Sequence, residues 1–186
     1  ICAVTYRDNL VFPSYTKKDV KIKTWEMGEK QVGAFRSNYQ YHWYAYIGDV
    51  NASDSILNDI QTSFAGTEYA EAAAFRRGQI FFENQDYFYA KQYFTECANN
   101  YPKGKFFEEA TYYSAYSSEK LGKIDEAILL YLKITSFYKD SIYAFNSHER
   151  LAFLFFENKE YERALNSIKY IQETFPVESA FSSVNN

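Results

Sequence analysis

The chain has 186 residues, a length that fits one ordinary domain or a short stack of repeats. Hydrophobic residues at 47% exclude a disordered chain, and a net charge of −4 argues against nucleic acid as a main partner, because phosphate binding asks for a basic surface. Aromatic side chains supply 20% of the sequence while only 7 Gly and 3 Pro interrupt it, which favours long helices over a turn-rich β fold. No run approaches the roughly 18 to 20 apolar residues of a membrane span. Cys2 and Cys97 lie far apart and form no CxxC pair, which excludes a disulfide framework and a cysteine-based zinc site.

Residues 1–33 form a leader with its own character. Ile1 to Thr24 carries five basic side chains (Arg7, Lys17, Lys18, Lys21, Lys23) against Asp8 and Asp19. Asp19 to Thr24 alternates polar and apolar as an exposed strand or extended arm does, and Pro13 breaks any helix before it. The leader is read either as a segment packed on the first repeat or as an arm for a partner subunit or anionic lipid heads. The chain starts at Ile1 without an initiator Met and shows no secretory signal, so it reads as a mature form or a fragment. Cys2 stands where a lipoprotein carries its lipidated cysteine, but Ile1 is unlike the small residue that precedes such a site. Membrane association is expected only through lipidation or through a partner.

After the leader the sequence repeats itself at a spacing of 37 residues. Ala90, Ala127 and Ala164 recur at that interval, each a few residues after a polar turn. A large residue follows four positions on (Phe94, Tyr131, Ile168), then Cys97, Ile134 or Ile171, then an aromatic (Tyr101, Tyr138, Phe175). Pro102 and Pro176 close two of these units. Spacings of four, three and four put these side chains on one helical face. The alanine allows two antiparallel helices to cross closely, at about 8 to 10 Å between axes. The prolines are expected to end the second helix. First helices are predicted at Glu71 to Glu83, Glu108 to Leu121 and Phe145 to Asn158. The same register extends backwards to Phe64, followed by Ala65-Gly66-Thr67 as a stop and restart, with Leu57 and Ile60 on the preceding helix and Ser53 in the alanine slot. The expected organisation is therefore a degenerate unit at 34–70, clear units at 71–107, 108–144 and 145–181, and a tail at 182–186. Val177 onwards starts like another first helix and then fades.

These positions resemble the tetratricopeptide repeat (TPR) family. Its small residue midway along the first helix is matched by Gly78, Ala115 and Ala152, and the aromatic three later by Phe81 and Phe155, with Ser118 departing in the middle unit. The resemblance covers about residues 34 to 181 and implies an all-α fold, a right-handed superhelical solenoid of about four helix-turn-helix repeats. The linkers Tyr101-Pro102-Lys103-Gly104-Lys105-Phe106 and Phe175-Pro176 with Ser179-Ala180 are similar to those of bacterial envelope TPR proteins, the outer-membrane assembly lipoprotein and the periplasmic partner of the Tol-Pal system. That likeness implies the bacterial periplasm or the periplasmic face of the outer membrane.

No constellation for catalysis emerges, so the chain is not expected to be an enzyme or to hold a cofactor or metal. His42 sits in the aromatic run Tyr39 to Tyr46, and His148-Glu149-Arg150 lacks the second histidine of a zinc hydrolase motif. There is no Gly-rich phosphate loop and no nucleophile elbow. Glu108-Glu109 and Asp125-Glu126 fall in first turns of helices, where they suit the helix dipole. Cys97 takes a small packing slot.

What remains is the groove that the family resemblance implies along the first helices. Its residues are Phe75, Gln79 and Phe82, then Tyr112, Tyr116 and Glu119, then Asn146, Glu149, Phe153 and Phe156, a mostly aromatic set suited to an extended peptide anchored by burial. Each could alternatively pack between neighbouring helices. The carboxylate clamp of chaperone-tail receptors would fall on Phe75, Gln79, Tyr113, Asn146 and Arg150, of which only Arg150 suits it. The expected role is a protein-binding scaffold, with a permanently bound subunit of a large complex, organellar for instance, as the alternative.

Overall fold

The computed structural model describes residues 49–175. The leader 1–33, the first helix expected around His42, Pro176 and the tail lie outside the described residues. Among the described residues there are seven helices and no strand: α1 (Val50–Ser63), α2 (Glu68–Glu83), α3 (Tyr87–Asn100), α4 (Phe107–Lys120), α5 (Ile124–Phe137), α6 (Ile142–Glu157) and α7 (Tyr161–Thr174). The chain divides into two compact units, 1–70 and 71–186.

In the first unit, the Asp49 side chain accepts the Ala52 N–H at 2.9 Å and so caps α1. Ser53, Leu57 and Ile60 form its buried stripe, with Ser53 fully buried in the slot that later units give to alanine. α1 stops where the Phe64 amide donates to the Ile60 carbonyl, and Gly66 turns the chain at a φ of +78°.

The second unit is built from helical hairpins. α4 pairs with α5 and α6 with α7, while α4 also packs on α3 and α6 on α5. α2 meets α3 through Phe75 against Phe94 and Phe81 stacked on Tyr93. The short connections make neighbours antiparallel. Ala90, Ala127 and Ala164 are all buried at the helix crossings. Gly78 shows how close the first crossing is: a Cβ there would stand 2.5 Å from Cδ1 of the buried Phe94 ring. Phe94 and Tyr131 are fully enclosed because the next hairpin closes over them, with Tyr113 stacked on Phe94 and Leu151, Leu154 and Phe155 packed around Tyr131. Burying such a side chain is worth roughly 1.5–3 kcal/mol.

Three details recur from unit to unit and hold the backbone, the first two at the repeat spacing. The first is the stop of the second helix. Tyr101, Tyr138 and Phe175 each sit at φ −126°, their amides donating to Cys97, Ile134 and Ile171. The middle unit has Lys139 where the first has Pro102, yet α5 ends at the same register. The expected dependence on proline is therefore corrected for the middle unit: α5 ends without one, with Tyr138 in the same cap conformation as Tyr101 and Phe175. The second is the turn inside each hairpin. Gln85, Gly122 and Lys159 adopt φ of 61°, 73° and 63°, and their amides donate to the carbonyls of Phe82, Glu119 and Phe156. The next amides, on Asp86, Lys123 and Glu160, reach back to Phe81, Ser118 and Phe155, completing a Schellman motif each time. The third is a carboxylate tether. Glu71 accepts the Phe106 N–H at 2.8 Å, and Glu108 accepts the Ser141 hydroxyl, so α2 and α4 each hold, near their start, the linker that follows their hairpin. Ser141 in turn accepts the Ala144 N–H and caps α6, which starts at Ile142, ahead of the predicted Phe145.

Only one of the three left-handed turn positions is glycine. Gly122→Ala should cost about 1 kcal/mol in urea unfolding, whereas Lys159→Gly should be neutral or gain up to about 1 kcal/mol, because relief of left-handed strain offsets the extra entropy of the unfolded chain.

Candidate functional site

The repeat sorts the first-helix side chains into rows. Phe75 and Tyr112 share one register, Gln79, Tyr116 and Phe153 a second, and Phe82, Glu119 and Phe156 a third. The first row lies under the entry to the next first helix. The Phe106 ring stacks on Phe75 with centroids 4.8 Å apart and an 11° tilt, and Tyr143, at the equivalent repeat position but already in the first turn of α6, meets Tyr112 at 5.5 Å. Phe75 is thereby 2% exposed and belongs to the core, not to a contact surface. Pinned by Glu71, the linker lays its aromatic over the start of α2, which a spacing argument confined to the helix cannot show. Tyr112 is half-buried, wedged among Tyr113, Tyr116, Tyr131 and Tyr143. Burial pushes its phenol up to about 12.

The other two rows make one continuous surface. Phe82 lies edge-on to Tyr113 at 5.1 Å and contacts Tyr116 at 5.7 Å. The Arg150 guanidinium then bridges units, 5.7 Å from the Tyr116 ring and 5.2 Å from Phe153. Gln79 is half-buried and accepts from Arg76 at 2.7 Å. At the far end of the rows Phe153 and Phe156 are 52% and 60% exposed. Beside them a pocket of about 410 Å³ opens between the end of α4 and α6, lined by Glu119, Lys120, Ile124, Phe153, Leu154 and Glu157, with Asn158 at its edge.

Arg150 also locks two first helices together. Its Nε donates to Glu119 Oε2 at 3.0 Å and its Nη2 to Glu119 Oε1, a two-pronged pair on a carboxylate whose side chain is only 9% exposed. The Tyr131 hydroxyl donates to the same carboxylate at 3.1 Å. Burial and the neighbouring Glu119 hold that phenol far above its ordinary range, so it stays a neutral donor. The one residue that matched the chaperone-tail clamp is thus already satisfied by its own chain. The repeat does not mark this strut, because its partners lie 31 residues apart and fall outside the repeat interval; opposite charges at groove positions of successive first helices are the signal that identifies them.

The surface suits burial of apolar groups and cation–π contact, not proton transfer. The Cys97 thiol is fully buried and raised to about 12, first by burial and then by Glu71 and Glu96, which makes it a poor nucleophile. His148 is half-buried and stacked on Tyr170 at 4.2 Å, and burial lowers its pKa. Among the described residues no group of three His, Cys, Asp or Glu could hold a metal ion, and no helix is long and apolar enough to cross a membrane.

Residues 72–104 match the family model of the tetratricopeptide repeat. Among solved structures, that of MamA AMB-1 matches with a TM-score of 0.59 at 18% identity, over 80% of this chain and 78% of that chain. No curated protein matches in sequence. Together with the seven helices, these findings show an all-α, TPR-like helical solenoid.

Arg150→Met should cost about 3 kcal/mol in urea unfolding, because it strands the Glu119 carboxylate in a nearly dry site. Adding Glu119→Gln to it should recover at least half of that loss, a coupling that a double-mutant cycle reads directly.

Proposed function

We propose that this chain is a non-catalytic scaffold that holds protein partners as extended segments laid along its first helices. The observation that carries the reading is the row from Phe82 through Tyr116 and Arg150 to Phe153 and Phe156, ending beside the 410 Å³ pocket. It keeps large aromatics partly open to solvent at the cost of leaving apolar area wet, which a purely structural face avoids. A partner side chain set between Phe153 and Ile124 would gain burial, while Lys120 and Glu157 at the rim would align its backbone or charge. The TPR-like fold supports protein partners in general; the groove residues are our assignment.

The setting we propose is the bacterial envelope, at the periplasm or the inner side of the outer membrane. Its support is the likeness of the linkers around Pro102 and Pro176 to envelope repeats, and subcellular fractionation of the native protein tests it. A second reading, a permanently bound subunit of a larger assembly, is favoured by Leu129, Phe137 and Ile142. These are exposed away from the groove, and the first two stand where the neighbouring units carry Gln92 and Asn166, or Asn100 and Thr174. A stoichiometric complex surviving size separation supports that reading, and a weak, exchangeable partner supports the groove.

Phe153→Ala with Phe156→Ala should weaken partner capture at least tenfold while leaving helix content and unfolding midpoint nearly unchanged. Unimpaired binding would remove this row from the site. Tyr112→Ala, by contrast, should lower stability by about 2–4 kcal/mol, since its ring is wedged in the core.

A further inference from the structure

The pocket at the end of the groove has a counterpart one repeat earlier, and there the chain fills it with its own rings. One repeat interval back from Glu119, Ile124, Arg150 and Phe153 stand Phe82, Tyr87, Tyr113 and Tyr116. Those four aromatics form a cluster. Phe82 lies 5.6 Å from Tyr87, 5.1 Å from Tyr113 and 5.7 Å from Tyr116, centroid to centroid, and meets the first two edge-on. In the next unit Phe153 is the one ring of the four that is kept. Glu119, standing where Phe82 stands, is drawn to Arg150 and the Tyr131 hydroxyl, and Ile124 replaces the larger Tyr87. What is left is the pocket of about 410 Å³, with Leu154 as a further apolar wall where the earlier slot has Ser117. Its lining runs from the end of α4 to the end of α6, and α3 packs on α4 as α7 does on α6. Its opening therefore owes nothing to the ends of the described stack.

The charges of the lining favour a neutral occupant. Glu119 is taken up by Arg150 and Tyr131, which leaves Lys120 on α4 and Glu157 on α6, exposed and of opposite sign. Neither is ion-paired among the described residues. A charged side chain entering between them would gain from one and be opposed by the other, whereas a neutral ring meets no such conflict. Aromatic rings hold one another edge-on or offset with centroids about 4.5–7 Å apart, the arrangement found around Phe82.

We infer that this pocket takes an aromatic side chain of the partner, Phe or Tyr, set against Phe153 and Ile124 as Phe82 is set against Tyr116 and Tyr87. The inference rests on the groove reading above and adds the residue type by which the groove would recognise its segment. An aliphatic side chain would also bury area there, but it would not complete the ring cluster that the preceding unit builds.

The test uses the full chain and two small probes, N-acetyl-phenylalanine amide and N-acetyl-leucine amide, titrated to about 20 mM, the weak range expected of ligands this small. Backbone amide NMR shifts report both the affinity and the place. The phenylalanine probe should move Lys120, Ile124, Phe153 and Glu157 saturably and bind about fivefold more tightly than the leucine probe, the size of an aromatic pair preference. Ile124→Tyr, which restores the ring that Tyr87 supplies one unit earlier, should weaken the phenylalanine probe about fivefold or more by filling the pocket. Phe153→Leu, at an exposed position, should reduce that probe to the level of the leucine one, so the outcome does not hang on how Ile124→Tyr folds. Circular dichroism checks helix content in both. Equal binding of the two probes, shifts confined to other residues, or no shift at all overturns the inference. An aromatic preference that survives both variants overturns it too. The groove reading fails separately, through unimpaired partner capture by the Phe153→Ala/Phe156→Ala variant. Capture lost in that variant, with no aromatic preference in the pocket, keeps the groove and overturns this assignment alone.

Discussion

The structure depends on a close helix crossing followed by a lid. A small residue on the second helix, Ala90, Ala127 or Ala164, brings two helices near enough that the large residue four positions on points past its own hairpin. The next first helix then closes over that residue, sealing Phe94 beneath Tyr113 and Tyr131 beneath Leu151 and Leu154. No hairpin buries its own largest side chain completely, so stability is shared between neighbours, as in other stacked repeats. At Gly78 the crossing is close enough that even a methyl group would collide with Phe94.

From that constraint follow both exposed surfaces. Sealing uses one face of each first helix, and Phe106 in the linker and Tyr143 at the start of α6 roof another, over Phe75 and Tyr112. The remaining face carries Phe82, Tyr116, Phe153 and Phe156, organised by Arg150 and its bond to Glu119. On α7 the residues of the same register, Leu165 and Ile168, are exposed. The groove and this stripe are thus both faces that the packing of the described hairpins leaves uncovered.

Much of this is legible in the sequence because it depends on spacing. The alanine slots, the large residues after them and the aromatic helix stops recur at one interval, and a helix turns such an interval into a face. Even Ser53, a poor match by type, occupies its slot fully buried. Other features depend on groups that the repeat does not mark. Gln85 and Lys159 take a left-handed conformation that only Gly122 advertises. Glu71 and Glu108 read as first-turn acids, while their bonds to Phe106 and Ser141 span more than thirty residues. Phe75 reads as a groove residue in the sequence because helix position alone cannot reveal a linker folding over it. For the groove, spacing identifies the right helices and most of the right rings, but not which of them the linkers cover.

One register is sealed in two hairpins and open in the third. Hydroxyl-radical footprinting in dilute solution, read residue by residue against the unfolded chain, measures that directly. Strong protection of Phe94, Ile128 and Tyr131 beside ready oxidation of Tyr161, Leu165 and Ile168 is the predicted result. Equal protection at the three repeats, or open labelling of Tyr131, would contradict it.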